Sequence, residues 1–460
     1  MEETSAITIE HIHRTQKKFH SSHQTKGLEF RIARLKKLKA AIQKFEVRIL
    51  EALWKDLRKS GEEAYLTEIS IVTGEIDLHI RNLKKWVRSR RVPTPIHLLP
   101  SSGRVYHEPL GVVLIIAPWN YPFQLVMNPL VGAISAGCCA ILKPSEYTVN
   151  IAEVMGEMIR ETFDENYIAL VLGGQKVGEH LLKQNFDLIF FTGSTKVGKI
   201  VMKAAAENLS PVILELGGKS PCIVDDNANL DLAAKRIAWG KTINAGQTCI
   251  APDYLFVHES VKEDLIQKIA AHLEDMFSAN IQKSRFFSRI VNEKAFDNLV
   301  GLLQKSNGSI RYGGTFDKED LFISPTILDM ITPDDALMQQ EIFGPILPVI
   351  TYSNIEEAFS YINSKEKPLA LYYFGKKIGV EEVLLKTSSG GTCINDTLMH
   401  ITNHHLPFGG VGNSGFGKYH GKESFLAFSN QRAVVNSPTW IDIPFKYVPF
   451  RNFKFIKKIL

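Results

Sequence analysis

From Gly111 onward short apolar runs alternate with helical stretches, and this alternation restricts the fold more tightly than any other feature of the chain. Gly111 to Ala117 reads as a buried strand, Tyr121 to Gly137 as a helix opening at a proline, Cys139 to Leu142 as a strand and Val149 to Phe163 as a helix. Ile168 to Leu172, Val177 to Gln184, Asp187 to Phe191 and Thr195 to Glu207 repeat the pattern, and Pro211 to Leu216 extends it. Strands that are apolar along their whole length are buried on both faces, so the expectation is an α/β fold with a mostly parallel sheet covered by helices. A chain of 460 residues exceeds the size at which a single core usually splits, so two or more domains are expected.

Upstream, Gly27 to Lys59 predicts one long amphipathic helix and Glu62 to Val92 a second, stopped by Pro93 and Pro95. Ile96 to Glu108, with Pro100-Ser101-Ser102-Gly103 between apolar flanks, predicts a hairpin or paired extended arm. Met1 to Lys17 has no apolar centre and does not read as a signal peptide, and no run approaches the ~20 apolar residues of a membrane span. The net charge of +5, from 54 basic and 49 acidic residues, makes no case for nucleic acid. Five cysteines, an odd number without metal-ligand spacing, fit a reduced compartment, and a cytoplasmic protein is expected. The 14 histidines show no paired helical spacing with a carboxylate of the metalloprotease kind, so no metal is expected, and His404-His405 reads as a loop pair.

In parallel sheets ligands bind beyond the carboxyl ends of the strands. Pro118-Trp119-Asn120 puts an amide donor at the first such end, and Lys143-Pro144-Ser145-Glu146 puts a cation and a carboxylate at the second. Thr192-Gly193-Ser194-Thr195-Lys196-Val197-Gly198 is a small-residue turn opening a helix, where free N–H groups and the helix dipole attract phosphate. It follows a P-loop only until Ile200, which stands where Mg²⁺ needs a hydroxyl. Gly410 to Gly415 fits G-x-G-x-x-G without a clear strand before it and reads as a turn-rich connection.

Asn244-Ala245-Gly246-Gln247-Thr248-Cys249 follows the amphipathic run Leu230 to Ile243, placing a thiol where a helix gives way to an irregular turn. A nucleophilic thiol needs electropositive surroundings or a base, because near pKa ~8.5 few such groups are ionised at neutrality. The alternative is an ordinary small core residue. Glu215 ends an apolar strand beside Gly217 and Gly218, where burial would raise its pKa as a general base for water requires; the alternative is a salt-bridged strand-end acid.

Seven motifs in series carry a resemblance. Pro118-Trp119-Asn120, Lys143-Pro144-Ser145-Glu146, Phe191-Thr192-Gly193-Ser194-Thr195, Glu215-Leu216-Gly217-Gly218-Lys219, Gly246-Gln247-Thr248-Cys249, Glu341-Ile342-Phe343-Gly344-Pro345 and Pro407-Phe408-Gly409-Gly410 resemble the ordered motifs of the NAD(P)-dependent aldehyde dehydrogenases. Ile237 to Lys241, Gly410 to Gly415 and Tyr419 to Lys422 resemble the class-3-like branch. The resemblance implies a Rossmann-type cofactor domain, an α/β catalytic domain and a small bridging element. It also implies oxidation of an aldehyde, medium- to long-chain aliphatic or aromatic, to the acid through a covalent cysteine adduct.

On that resemblance Cys249 is the nucleophile, Asn120 and the Cys249 N–H stabilise the oxyanion, and Glu215 activates the hydrolytic water. Lys143 and Glu146 contact the adenosine ribose, Gly193 and Ser194 face the pyrophosphate, and Glu341 and Phe343 hold the nicotinamide ribose. Trp119, Gly198, Leu216 and Gly217 complete the implied cofactor contacts. The cofactor is expected to be NAD, with NADP admissible, since the Glu146 carboxylate suits a free ribose hydroxyl better than a phosphate.

The expected division is a dinucleotide-binding domain at residues 1–94 and 109–214, a catalytic domain at 215–411, a bridging element at 95–108 and 412–437, and a tail at 438–460. A homodimer is expected through the bridging element. From Ile443 to Leu460 there are five basic residues and no acid, interleaved with aromatics. Such a tail suits weak contact with an anionic membrane surface, and equally a partner subunit or the substrate entrance. The rivals are a CoA-acylating relative and a non-catalytic nucleotide-binding protein on the same scaffold.

Overall fold

The computed structural model describes residues 3–442 together with 446–449, 453 and 457. It opens with α1 (Ala6–Ser21), a helix that the sequence reading passes over, capped by the Ser5 hydroxyl accepting from the Thr8 N–H. Its apolar stripe is too narrow to stand out, because only Ile9, Ile12 and Gln16 are buried. α2 (Leu28–Leu57) lies where expected and buries Leu35, Leu38, Ile42 and Phe45. The second expected helix is shorter and irregular: α3 (Gly61–Ala64) passes through a π turn at Tyr65–Ile69 into α4 (Ser70–Trp86). Arg90 to Val92 is not its last turn but a strand, β1 (Arg90–Val92), drawn into antiparallel pairing with β2 (Ser102–Pro109). The extended arm therefore begins at Arg90, before the prolines.

Each apolar run after Gly111 then forms its expected element. These are β3 (Val112–Ile116), α5 (Gln124–Ala136), β4 (Cys139–Lys143), α6 (Val149–Thr162), β5 (Ile168–Leu170), α7 (Gln175–Leu182), β6 (Leu188–Gly193), α8 (Thr195–Glu207) and β7 (Val212–Leu216). Next come β8 (Pro221–Val224), α9 (Leu230–Thr242), β9 (Tyr254–His258), α10 (Lys262–Phe277), α11 (Glu293–Lys305), β10 (Ser309–Tyr312), and the small pair β11 (Phe316–Asp317) and β12 (Phe322–Ile323). The remainder is β13 (Thr326–Asp329), β14 (Ile346–Tyr352), α12 (Ile355–Ser364), β15 (Ala370–Phe374), α13 (Lys377–Lys386), β16 (Gly391–Ile394), β17 (Gly415–Phe416), α14 (Lys422–Ala427) and β18 (Ser429–Asn436).

The strands form two large sheets. One has the order β17-β7-β6-β3-β4-β5 and is parallel except for β17; the other has the order β10-β13-β14-β9-β8-β15-β16 and is parallel except for β10. Consecutive strands β7 and β8 belong to different sheets, so Gly217 to Ser220 carries the chain from one to the other immediately after Glu215. The antiparallel sheet β1-β2-β18 stands apart from both, with β18 paired along β2 from Ser429↔Pro109 to Asn436↔Ser102. The expected α/β class holds. Gly410 to Gly415 is a turn, as expected, but it ends in β17, where Gly415 pairs with Glu215.

Candidate active site

The turn that carries Cys249 is built from unfavourable backbone. After α9 ends, Asn244 (φ 52), Ala245 (φ 51) and Gly246 (φ 73) are all left-handed, a conformation costing about 1–3 kcal/mol at each non-glycine position. Side chain also has no room at Gly246, where a Cβ would lie 2.4 Å from the Gly344 carbonyl oxygen. Hydrogen bonds hold the turn. The Gln247 amide donates to the Asn244 and Arg289 carbonyls at 3.0 and 2.9 Å and accepts from the Val291 N–H at 3.0 Å. The Asn244 N–H donates to the Glu63 carboxylate at 2.8 Å, and its side-chain amide donates to the Asn120 carbonyl at 2.9 Å.

Beneath the turn lies a fully buried ion pair that the sequence reading missed. Lys59 Nζ donates to Glu68 Oε1 at 2.6 Å and to the Asn120 carbonyl at 3.1 Å. The other Glu68 oxygen accepts the Phe123 and Gln124 N–H groups at 2.8 and 3.2 Å, at the entry to α5. No sequence signal marks this pair, since a lysine beyond a helix end and a glutamate in the next helical segment look like surface residues.

Cys249 and Glu215 line the same cavity, of about 510 Å³, whose walls include Leu66, Leu125, Trp239, Met276, Phe286 and Phe408. Both Glu215 oxygens are buried without a hydrogen-bond partner, and burial pushes the carboxyl well above its ordinary pKa against the pull of Lys418. Lys418 itself donates to the carbonyls of Gly409, Gly410 and Gly390. Burial, then the charges of Glu341 and Glu215, push the Cys249 thiol up to about 12. Of the two aids that a nucleophilic thiol needs, electropositive surroundings or a base, the described charged groups acting on this sulfur offer only acids, Glu341 and Glu215.

Asn120 is not on the cavity wall. Its side-chain N–H donates to the Gln247 carbonyl at 3.0 Å, while its own oxygen is buried and unpaired. The opposite amide orientation would set oxygen against oxygen, so a second N–H remains the free donor.

The cofactor residues expected from the resemblance fall at the ends of the first sheet. Lys143 Nζ meets Glu146 Oε2 at 3.2 Å just beyond β4. Ser194 caps α8, its hydroxyl accepting from the Val197 N–H at 3.4 Å. Gly198 lets that helix lie on Leu216, because a Cβ there would come within 2.7 Å of a leucine methyl. Gly217 likewise gives way to the Glu341 carboxylate, 2.3 Å from where its Cβ would stand. Trp119 and Phe343 meet edge to face with ring centroids 5.4 Å apart. Glu341 is raised to about 8, first by burial and then by Asp253. The free N–H groups opening α8, the ribose-sized cation–carboxylate pair and the glycine approaches suit a dinucleotide.

Among the described residues no cluster of three or more histidine, cysteine or acidic side chains could hold a metal, and no helix is long and apolar enough to cross a membrane. His404 is more than a loop residue: its Nδ1 meets the buried Glu75 carboxylate at 2.9 Å, and His79 does so at 3.1 Å. All five cysteines are free.

Two mostly parallel α/β sheets joined at a glycine-rich crossing thus bring a thiol and an unpaired carboxyl onto one cavity. Residues 2–434 match the model of the aldehyde dehydrogenase family, and the chain belongs to that family. It is 49% identical to the 4,4'-diaponeurosporen-aldehyde dehydrogenase of Staphylococcus aureus, over 96% of each protein. It is 44% identical to the dimeric NADP-preferring aldehyde dehydrogenase of Rattus norvegicus, covering 92% of this chain and 93% of that one. A solved structure described as the substrate-bound state of Staphylococcus aureus AldH superposes with a TM-score of 0.96 at 48% identity, covering 98% of this chain and 99% of that one. The chain is thus an NAD(P)-dependent enzyme that oxidises aldehydes.

Proposed function

We propose that Cys249 adds to the aldehyde carbon and that Glu215 then readies the water that hydrolyses the thioester. The observation carrying this reading is that the two face one apolar cavity, with both Glu215 oxygens free of protein partners. The free N–H of Asn120 and the Cys249 N–H are the oxyanion donors in this reading, each donor elsewhere being worth ~3 kcal/mol. The Gln247 carbonyl holds one Asn120 N–H and leaves the other for the oxyanion. Nicotinamide bound there would supply the hydride acceptor. Lys143 and Glu146 hold the adenosine ribose, Gly193, Ser194 and Gly198 shape the pyrophosphate turn on Leu216, and Trp119, Gly217, Glu341 and Phe343 bound the nicotinamide end.

The mostly apolar walls favour medium- to long-chain aliphatic or aromatic aldehydes. The expected domain division is adopted with the bridging element starting at Arg90, as is a homodimer through β1-β2-β18, whose edge strand β18 offers an unpaired ladder and whose Tyr106 and Val435 are exposed. Five free thiols support a reducing, cytoplasmic setting. Most of the tail from Ile443 to Leu460 lies outside the described residues; exposed Trp440, Val448 and Phe453 support its contact with an anionic surface. A CoA-acylating role is disfavoured by Glu215, since transfer to a thiol needs no water-activating base. The test is NADH formation from octanal without CoA or phosphate: the natural protein is expected to turn over and Cys249→Ser to be inactive. Turnover by the variant would reject the covalent reading.

A further inference from the structure

The cavity that holds Cys249 and Glu215 carries a further carboxylate, Glu63, which neither the resemblance nor the reaction uses. Glu63 is half-buried. One of its oxygens accepts the Asn244 N–H at 2.8 Å. Glu62, also on the wall, is drawn to the surface by Arg285 at 2.8 Å. Among the described residues the lining contains no lysine or arginine. Lys59, the cation acting on Glu63, is already committed to Glu68 and to the Asn120 carbonyl. A negative charge entering this cavity therefore meets an uncompensated carboxylate in apolar surroundings, where like charges repel more strongly than in water.

We propose that Glu63 sets the charge selectivity of the substrate cavity, excluding aldehydes that carry a second, anionic end and favouring neutral or cationic ones. This rests on the aldehyde-oxidising reading of the same cavity. Burial, outweighing Lys59, pushes the Glu63 carboxyl up to about 7. The other groups facing it are Glu68, paired with Lys59, and Tyr121, whose hydroxyl is raised well above its ordinary value by burial and then by Glu63. Across the cavity Glu215 and Cys249 are both raised by burial, Cys249 to about 12. Glu63 is protonated below its raised pKa, so the exclusion weakens as pH falls and strengthens as pH rises.

The experiment measures kcat/KM for octanal, its ω-carboxylate counterpart and its ω-trimethylammonium counterpart, with octanal as the reference within each enzyme. Glu63→Gln keeps an oxygen for the Asn244 N–H and removes the charge; Glu63→Asp keeps the charge. In Glu63→Gln the carboxylate-to-octanal ratio is expected to rise about tenfold and the ammonium-to-octanal ratio to fall, while Glu63→Asp retains both natural ratios. In the natural protein discrimination against the carboxylate should grow from about pH 6 to about pH 8, and in Glu63→Gln it should stay flat. Natural ratios in Glu63→Gln, or both charged substrates shifting the same way, would overturn the proposal. Octanal left unoxidised by the natural protein would instead refute the enzymatic reading beneath it.

Discussion

At the scale of single residues, the proposed chemistry turns on two groups that burial raises above their ordinary pKa values. Cys249 is raised to about 12 by burial, Glu341 and Glu215, and Glu215 is itself raised well above the carboxylate range by burial. A carboxyl with a raised pKa is an available base only above that pKa. The hydrolytic step should therefore speed up with rising pH over a range displaced upward from ordinary carboxylates, and Glu215→Gln should abolish that limb while slowing deacylation by about 10²–10⁴-fold in single-turnover assays. Both residues were legible in the sequence because each closes a recognisable run. Their charge environment was not: the acids that raise Cys249 arrive from a distant strand end and a distant loop, which sequence order does not bring together.

At the scale of elements, the buried Lys59–Glu68 pair ties α3 and the π turn to the backbone of Asn120 and the entry of α5. Removing one member of a buried pair leaves an uncompensated charge and costs about 3–5 kcal/mol, so Lys59→Met should lower Tm markedly in calorimetry. The packing of α8 on β7 is as exacting. Gly198→Val would drive carbon into Leu216, already 2.7 Å from a bare Cβ, and tilt the helix end away from the cofactor. Its signature should be a raised KM for NAD with a smaller change in kcat. The elements from Val112 to Phe277 were legible because their apolar runs are long and clearly bounded. α1 was not, because only Ile9, Ile12 and Gln16 are buried among its charges and histidines. Nor was the end of α4, because Arg90 to Val92 is claimed by a partner strand that sequence order does not reveal.

At the scale of the whole molecule, the sheet β1-β2-β18 joins residues from both ends of the chain and leaves β18 at its edge. The proposed dimer uses this surface, and sedimentation should give a dimer for the natural protein and a shift toward monomer for Val435→Lys combined with Tyr106→Glu. The tail is tested separately: a chain ending at Pro438 should bind anionic liposomes less well than the full-length protein, and equal binding would reject the membrane contact. The convergence of Glu215 and Cys249 on one cavity could be anticipated only from the series of motifs. The spacing between them says nothing of it, because β7 and the thiol turn are brought together by a crossing between sheets. The most direct test of that convergence is mass spectrometry of the Glu215→Gln variant quenched after mixing with octanal and NAD. An octanoyl group should accumulate on Cys249; an unmodified Cys249, or an acyl group on another residue, would contradict the account.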